Sequence, residues 1–139
     1  MYSVNTGFSI NSLLEFNKKH STVPAYIDNT TFNGIFARER YDAADGEEME
    51  FIFPLENGDY VVNIYLGNSY EPASEIGDRI FDILLEGTVV ENDLDIIAEF
   101  GHLRAGMLSF PVTLNDGELN LEFLHGVAEN PILSALEIF

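Results

Sequence analysis

Apolar and polar side chains alternate with a period of two through much of the chain after residue 48, and this pattern limits the fold more than any other feature of the sequence. Leu119, Leu121 and Phe123 alternate with acidic and amide residues, and similar spacing recurs at 49–53, 60–66, 81–85, 107–113 and 136–138. Because successive side chains of a β-strand point to opposite faces of its sheet, each segment is predicted to be a strand with one face in a core.

Glycine and asparagine turns separate these segments. Asn57-Gly58 lies between 49–54 and 60–66, Glu86-Gly87 ends the segment 81–85, and Asn115 to Gly117 precedes the segment at 119–123. Asn-Gly favours tight turns between paired strands, so the first two segments are predicted to form a hairpin. Short strands divided by such turns predict an all-β fold, a jelly-roll-type antiparallel β-sandwich.

Helical spacing appears near the N-terminus. Ile10, Leu13, Leu14 and Asn17 fit one face of a helix, which predicts at most one or two short helices in this region. The length of 139 residues suits one domain with a proper core, and neither a repeat nor a linker divides it. One domain spanning residues 1–139 is therefore expected.

The charge balance restricts the partners. Six Lys and Arg oppose 24 Asp and Glu, giving a formal net charge of −18. Such a field repels nucleic-acid phosphates, anionic membranes and charged polysaccharides, and it favours a neutral ligand.

Motifs for catalysis are absent from the sequence. There is no cysteine, and the three histidines lack metal-ligand spacing. A glycosidase requires two carboxyl groups held about 5–10 Å apart across a cleft, which sequence spacing does not establish. Asp93 and Asp95 have two interpretations: they shape a turn and cap backbone N–H groups, or they help to bind a structural calcium ion. The sequence predicts a protein that is not an enzyme, without a catalytic residue or a required cofactor.

Neither a signal peptide nor a run of about 18 apolar residues is present. The chain is expected to be a domain of a longer, secreted protein, acting in an extracellular or periplasmic setting.

Polar loops contain the candidate binding residues. Sugars offer an apolar face of C–H groups and a rim of hydroxyls, so their sites combine aromatic platforms with polar side chains. Tyr41 precedes the first strand pair, Tyr70 follows the strand at 60–66, and Glu129 follows the strand at 119–123. Loops after alternate strands of a sandwich gather at one end, so these three side chains are expected to converge.

Five segments, in order along the chain, resemble those of malectin-like domains. They are Val4–Gly7, Arg38–Tyr41, Gly58–Asn68, Arg79–Ile96 and Asn130–Ile138. The family implies a jelly-roll β-sandwich with a shallow sugar site built from end loops. It also implies sugar contacts at Tyr41, Tyr70 and Glu129, with Arg40 and Asn68 as helpers. Asn68 stands where the family has an acid, and Glu71 replaces an aromatic residue.

The function expected from the residues and the resemblance together is non-catalytic carbohydrate binding. The ligand is expected to be a neutral oligo- or polysaccharide, and the parent protein a polysaccharide-degrading enzyme, since bacterial relatives are often attached to such enzymes. The alternative is a structural or protein-interaction sandwich that keeps the fold without binding sugar.

Overall fold

The computed structural model describes residues 36, 39–44 and 46–139 in full, and the backbone of two short strands at 2–3 and 17–18. Within these residues the strands are β1 (Tyr2–Ser3), β2 (Asn17–Lys18), β3 (Arg40–Tyr41), β4 (Met49–Pro54), β5 (Gly58–Gly67), β6 (Ile80–Leu85), β7 (Thr88–Asp95), β8 (Ala105–Leu114), β9 (Glu118–Ala128), β10 (Ile132–Leu133) and β11 (Ala135–Ile138). A short helix, α1 (Ile96–Phe100), and a 3₁₀ turn at Glu71–Ala73 complete the elements.

Two main sheets form the fold. One has the order β1-β11-β5-β8-β2, the other β4-β9-β6-β7, and β10 and β3 make a separate pair. Neighbouring strands are antiparallel, except that β2 runs parallel to β8. The chain passes repeatedly from one main sheet to the other, as in a jelly roll. The all-β sandwich predicted from the alternating pattern is confirmed.

The main core lies between the facing sides of the two sheets. Val62, Ile64 and Leu66 of one sheet and Phe81 and Phe123 of the other belong to one buried apolar cluster. The predicted inward faces of β4, β6, β9 and β11 are confirmed, because their alternate apolar residues are buried or, at Phe51 and Phe53 of β4, half-buried against the core. Burying each large apolar side chain in this way stabilises the fold by about 1.5–3 kcal/mol.

The outer face of β5 is also covered, which the alternating pattern did not predict. Tyr65 is buried with Phe36, Ala105, Met107 and Ala135 in a second apolar cluster. The Tyr65 hydroxyl donates to Glu137 Oε2 at 3.1 Å, and Asn63 Nδ2 donates to the same oxygen at 3.1 Å. Glu137 thereby accepts hydrogen bonds from both polar side chains on this face.

The predicted hairpin of β4 and β5 is wrong. β4 pairs with β9, whereas β5 pairs with β8 and β11 in the other sheet. Asn57 Oδ1 accepts from Gly117 N at 2.8 Å, and Asn57 Nδ2 donates to the Asn115 carbonyl at 3.2 Å. The chain does turn at Asn57-Gly58, but the Asn57 side chain hydrogen-bonds this turn to the β8–β9 turn. The chain passes there from one sheet to the other.

Helical structure is found away from the predicted place. Of the segment 10–20, residues 17–18 form a strand rather than a helix, and the remainder lies outside the described residues. α1 begins instead at Ile96, where Asp95 Oδ1 accepts from Ile97 N and Ala98 N and so caps the helix. None of the helices in the described part of the chain is long and apolar enough to cross a membrane.

Candidate functional site

A cavity of about 360 Å³ opens where β3, the loop after β5 and the β9–β10 loop meet. Six residues line it: Glu39, Tyr41, Tyr70, Arg79, Glu129 and Asn130. The structure therefore brings together Tyr41, Tyr70 and Glu129, which the sequence placed in three separate loops. Their role in binding sugar stays a prediction.

Tyr41 is held at the rim by the pairing of β3 with β10. Tyr41 lies opposite Ile132, and Arg40 lies opposite Leu133. Tyr41 is 62% exposed, so its ring is available to a ligand. Neighbouring residues of a strand point to opposite faces, and the Arg40 guanidinium accordingly lies 5.5 Å from the Phe51 ring. Arg40 is not part of the cavity lining.

Tyr70 is placed by a compact loop. Its carbonyl accepts from Ala73 N at 3.0 Å, which closes the 3₁₀ turn beside it. Its ring is 45% exposed and lies 5.9 Å from the guanidinium carbon of Arg79. Cation–π attraction of this kind contributes about 0.5–2 kcal/mol, and it fixes the ring over the cavity floor.

Asn68, predicted as a helper in sugar binding, is buried beneath the site. It is 1% exposed, and its Nδ2 donates to the Ala73 carbonyl at 2.8 Å. Its Oδ1 accepts from Arg79 Nε at 2.9 Å. These contacts give Asn68 a part in positioning the Tyr70 loop and Arg79.

Arg79 forms the floor of the cavity and is 2% exposed. Besides its bond to Asn68, it donates from Nη1 to the Asn130 carbonyl, and its Nη2 lies 3.9 Å from Glu129 Oε2. Burial lowers the pKa of Arg79, while the charges of Glu39 and Glu129 act in the opposite direction. A guanidinium remains charged in proteins, so the floor carries a fixed positive charge.

Two carboxylates flank this charge. Burial raises the pKa of Glu39, against the opposing effect of Arg79. Glu39 Oε2 is buried and lacks a hydrogen-bond partner within the described chain. Glu129 has φ 53, in the left-handed region, where a residue other than glycine costs on the order of 1 kcal/mol.

Sequence reasoning missed Glu39, Arg79 and Asn130 as site residues. Glu39 stands two residues before Tyr41, and the period of two places it on the same side, so this signal was present in the sequence. Arg79 directly precedes the apolar strand β6. Its role depends on contacts 11 and 51 residues away, which no local pattern reveals.

Asp93 and Asp95 lie outside the lining of this cavity. Asp95 Oδ2 accepts from Gly77 N at 2.7 Å, in addition to the two helix-capping bonds on Oδ1. Asp93 Oδ2 accepts from the Asn92 side chain at 2.7 Å. These bonds match the turn and capping interpretation of the two residues, and calcium binding there stays a prediction.

Comparison with known proteins places the chain among relatives. A family model described as the malectin domain matches residues 2–136. Malectin from Homo sapiens is 33% identical over 118 residues, which cover 75% of this chain and 39% of that protein. Malectin-B from Xenopus laevis is 27% identical over 130 residues, covering 84% and 45% respectively. The chain thus matches less than half the length of these curated relatives.

Solved structures share the fold. The extracellular domain of ANXUR2 from Arabidopsis thaliana has a TM-score of 0.66 at 16% identity, covering 99% of this chain and 40% of that chain. A beta-glucuronidase from Bacteroides uniformis has a TM-score of 0.66 at 22% identity, covering 85% of this chain and 13% of that chain. At these identities the likeness concerns the fold alone.

Proposed function

The chain belongs to the malectin domain family, and we propose that it is a non-catalytic carbohydrate-binding domain whose site is the cavity lined by Tyr41, Tyr70, Arg79, Glu39 and Glu129. The observation that carries the proposal is the meeting of two exposed tyrosine rings over one polar floor. The ring faces suit the C–H face of a sugar, and the charged groups suit its hydroxyls.

The polar groups complement a polyol. Arg79 and the tyrosine hydroxyls donate hydrogen bonds, and the carboxylates of Glu39 and Glu129 accept them. A sugar hydroxyl is both a donor and an acceptor. Of two neighbouring hydroxyls, one can therefore accept from Arg79 while the other donates to a carboxylate. A ligand hydroxyl that donates to Glu39 Oε2 would supply the partner that this buried oxygen lacks.

A neutral glycan suits the electrostatics. The lining has two carboxylates against one guanidinium, and the whole chain has a net charge of −18. A uronate or sulfate would have to enter this negative field, and Arg79 already faces both carboxylates.

The same pairing supports a binding role rather than hydrolysis. A glycosidase requires one carboxyl group free to protonate the leaving oxygen and a second free to attack or activate water. Here Glu129 Oε2 lies 3.9 Å from Arg79 Nη2, and the charge of Arg79 also acts on Glu39, so the two carboxylates of the cavity share one cation and neither is free in this sense.

We propose that the domain acts as part of a longer chain in an extracellular or periplasmic setting, attached to a polysaccharide-degrading enzyme. The relatives it matches are more than twice as long as the matched segment. One similar fold is the extracellular domain of ANXUR2, and another lies within a beta-glucuronidase.

The test is a glycan-array screen followed by calorimetry on the strongest ligand. Tyr41→Ala combined with Tyr70→Ala is expected to weaken binding at least tenfold, because each aromatic platform contributes roughly 1 kcal/mol or more to stacking. Phe139→Ala is the matched control: it removes an aromatic side chain that is 53% exposed and lies outside the lining, and it should leave the affinity unchanged.

Three outcomes would count against parts of the proposal. Absence of binding to every oligosaccharide at millimolar concentration would favour the structural or protein-interaction alternative. Unchanged affinity in the double tyrosine variant would move the site elsewhere. Release of product from an oligosaccharide by the domain would show that it is an enzyme.

A further inference from the structure

A second group of ligand-type side chains lies outside the cavity lining. His125 Nδ1 is 2.9 Å from Glu48 Oε2 and 3.8 Å from Asp42 Oδ2. Nitrogen and carboxylate oxygens of all three residues lie within 4.8 Å of one another. Two residues come from the segment between β3 and β4 and the third from β9, so the group joins parts of the chain that are far apart in sequence.

The spacing suits a small divalent metal ion. Zinc binds imidazole nitrogen and carboxylate oxygen at about 2.0–2.2 Å in tetrahedral geometry, which places neighbouring ligand atoms about 3.3–3.6 Å apart. The two distances from His125 Nδ1 lie on either side of that range. Small side-chain rotations would therefore bring all three donor atoms to bonding distance.

The surroundings of the imidazole match those of a metal ligand. His125 Nε2 lies 3.3 Å from Asn130 Oδ1, so this nitrogen carries a proton and donates it to the amide oxygen. A metal-binding histidine usually donates its other N–H to such an acceptor, which fixes the ring orientation. Asp42 Oδ2 is itself held by the backbone N–H of Met49 at 2.7 Å.

We propose that Asp42, Glu48 and His125 form a binding site for a divalent transition-metal ion, with zinc as the best fit. Three protein ligands leave a fourth position for water. The side chains of Glu48 and His125 are 43% and 24% exposed, so an ion reaches the site from solvent. Calcium is a poorer match, because it requires 6–8 oxygen ligands and rarely uses imidazole.

The ion would link this site to the cavity. Asp42 follows Tyr41 directly, and Asp42 N donates to the Pro131 carbonyl at 3.1 Å. Asn130, the acceptor for His125 Nε2, lines the cavity and binds Arg79 through its carbonyl. A metal ion would thus restrain segments on both sides of the β3–β10 pair, independently of whether the cavity binds sugar.

The test is calorimetric titration of the chelator-treated protein with zinc chloride. One tight site per chain is expected above any weak background from surface carboxylates. His125→Ala and Glu48→Gln should each weaken that site at least tenfold. The matched control is His102→Ala, because His102 Nε2 also lies 3.1 Å from a carboxylate, that of Glu71, but belongs to no three-residue group in the described chain.

A second measurement uses the unaltered protein, so it does not depend on variants that fold. In long-range ¹H–¹⁵N spectra of the histidine rings, zinc should shift Nδ1 of His125 and leave the ring of His102 unchanged. The amide signal of Asn130 should shift in the same titration. Zinc binding of equal strength in His125→Ala, or an unperturbed His125 ring at saturating zinc, would overturn the proposal.

Discussion

Arg79 connects its own segment to two other segments of the chain beneath the cavity. Its guanidinium contacts Asn68 after β5, Asn130 after β9 and the carboxylate of Glu129. A buried charge is tolerated only when it is paired and hydrogen-bonded, and these contacts satisfy that requirement. At the residue scale, one side chain therefore both supports the floor of the site and holds its loops together.

Arg79→Met should destabilise the protein by about 3–5 kcal/mol, because it leaves the Asn68 and Asn130 acceptors without donors and two carboxylates without their cation. The measurement is the free energy of unfolding in urea. Arg40→Met is the matched control, since exposed Arg40 loses its contact with Phe51, about 0.5–1 kcal/mol. Equal losses in the two variants would contradict the structural role of Arg79.

Glu39 provides a test of stability against pH. Burial raises its folded pKa above the ordinary value, with Arg79 opposing. A raised folded pKa means that the carboxyl group favours folding below the unfolded pKa, and that this benefit is lost as the pH rises through the folded pKa. Glu39→Gln should therefore match the parent near pH 4 and become the more stable of the two as the pH approaches 7.

Urea unfolding of both proteins at each pH isolates this effect, because all other titrations cancel in the difference. Glu129→Gln serves as the control, since it removes the other carboxylate that faces Arg79 and its side chain is 35% exposed. A Glu39→Gln variant that loses stability relative to the parent as the pH rises would show that the contact with Arg79 outweighs burial.

At the element scale, the sequence predicted strands and faces better than strand partners. The alternation at Leu119, Leu121 and Phe123 was enough to assign the buried side of β9, because side-chain direction depends only on local periodicity. The partner of β4 was wrongly predicted, because it depends on where Asn57 finds its hydrogen bonds, 58 and 60 residues away. A turn signal shows that the chain bends and does not show which sheet it enters.

Gly126 marks an irregularity that shapes the cavity rim. β6 pairs Ile80 with Ala128 but Phe81 with His125, so β9 has two extra residues at this point, as in a β-bulge. A Cβ atom on Gly126 would lie 2.3 Å from the Ile80 carbonyl oxygen, a backbone atom with little freedom to move. The bulge lies just before Glu129 and Asn130, which line the cavity. It requires that residue 126 has no side chain.

Gly126→Ala should destabilise the protein by about 1–3 kcal/mol through this overlap. It should also shift the amide signals of Glu129 and Asn130, because the strand must move to relieve the contact. Val127→Ala is the control: Val127 is 84% exposed in the same bulge, and its loss should cost no more than about 0.5 kcal/mol. Parental stability in Gly126→Ala would show that the backbones are not packed this closely.

At the scale of the whole molecule, loop residues of the site were predictable and its floor was not. Tyr41 ends β3, Tyr70 follows β5 and Glu129 follows β9, and a sandwich gathers the loops after alternate strands at one end, so their meeting is expected from the fold class. Arg79 and Asn68 lie under that meeting point, where three-dimensional packing alone determines which polar side chains are enclosed. The sequence therefore predicted the residues at the rim of the cavity and left open the charge of its floor.

The net charge of −18 and the buried Arg79 have opposite effects on an anionic ligand: the first repels it and the second attracts it. The salt dependence of the affinity shows which effect is the larger. The long-range field repels a uronate in 0.01 M salt, where the Debye length is about 30 Å. In 0.15 M salt the Debye length falls to about 8 Å, and the field is largely screened. Affinity for an uncharged oligosaccharide should stay constant between these salt concentrations. Any affinity for the uronate of the same linkage should rise with salt. Tighter uronate binding at the lower concentration, measured by calorimetry, would mean that Arg79 governs the site and that its preferred ligand is acidic.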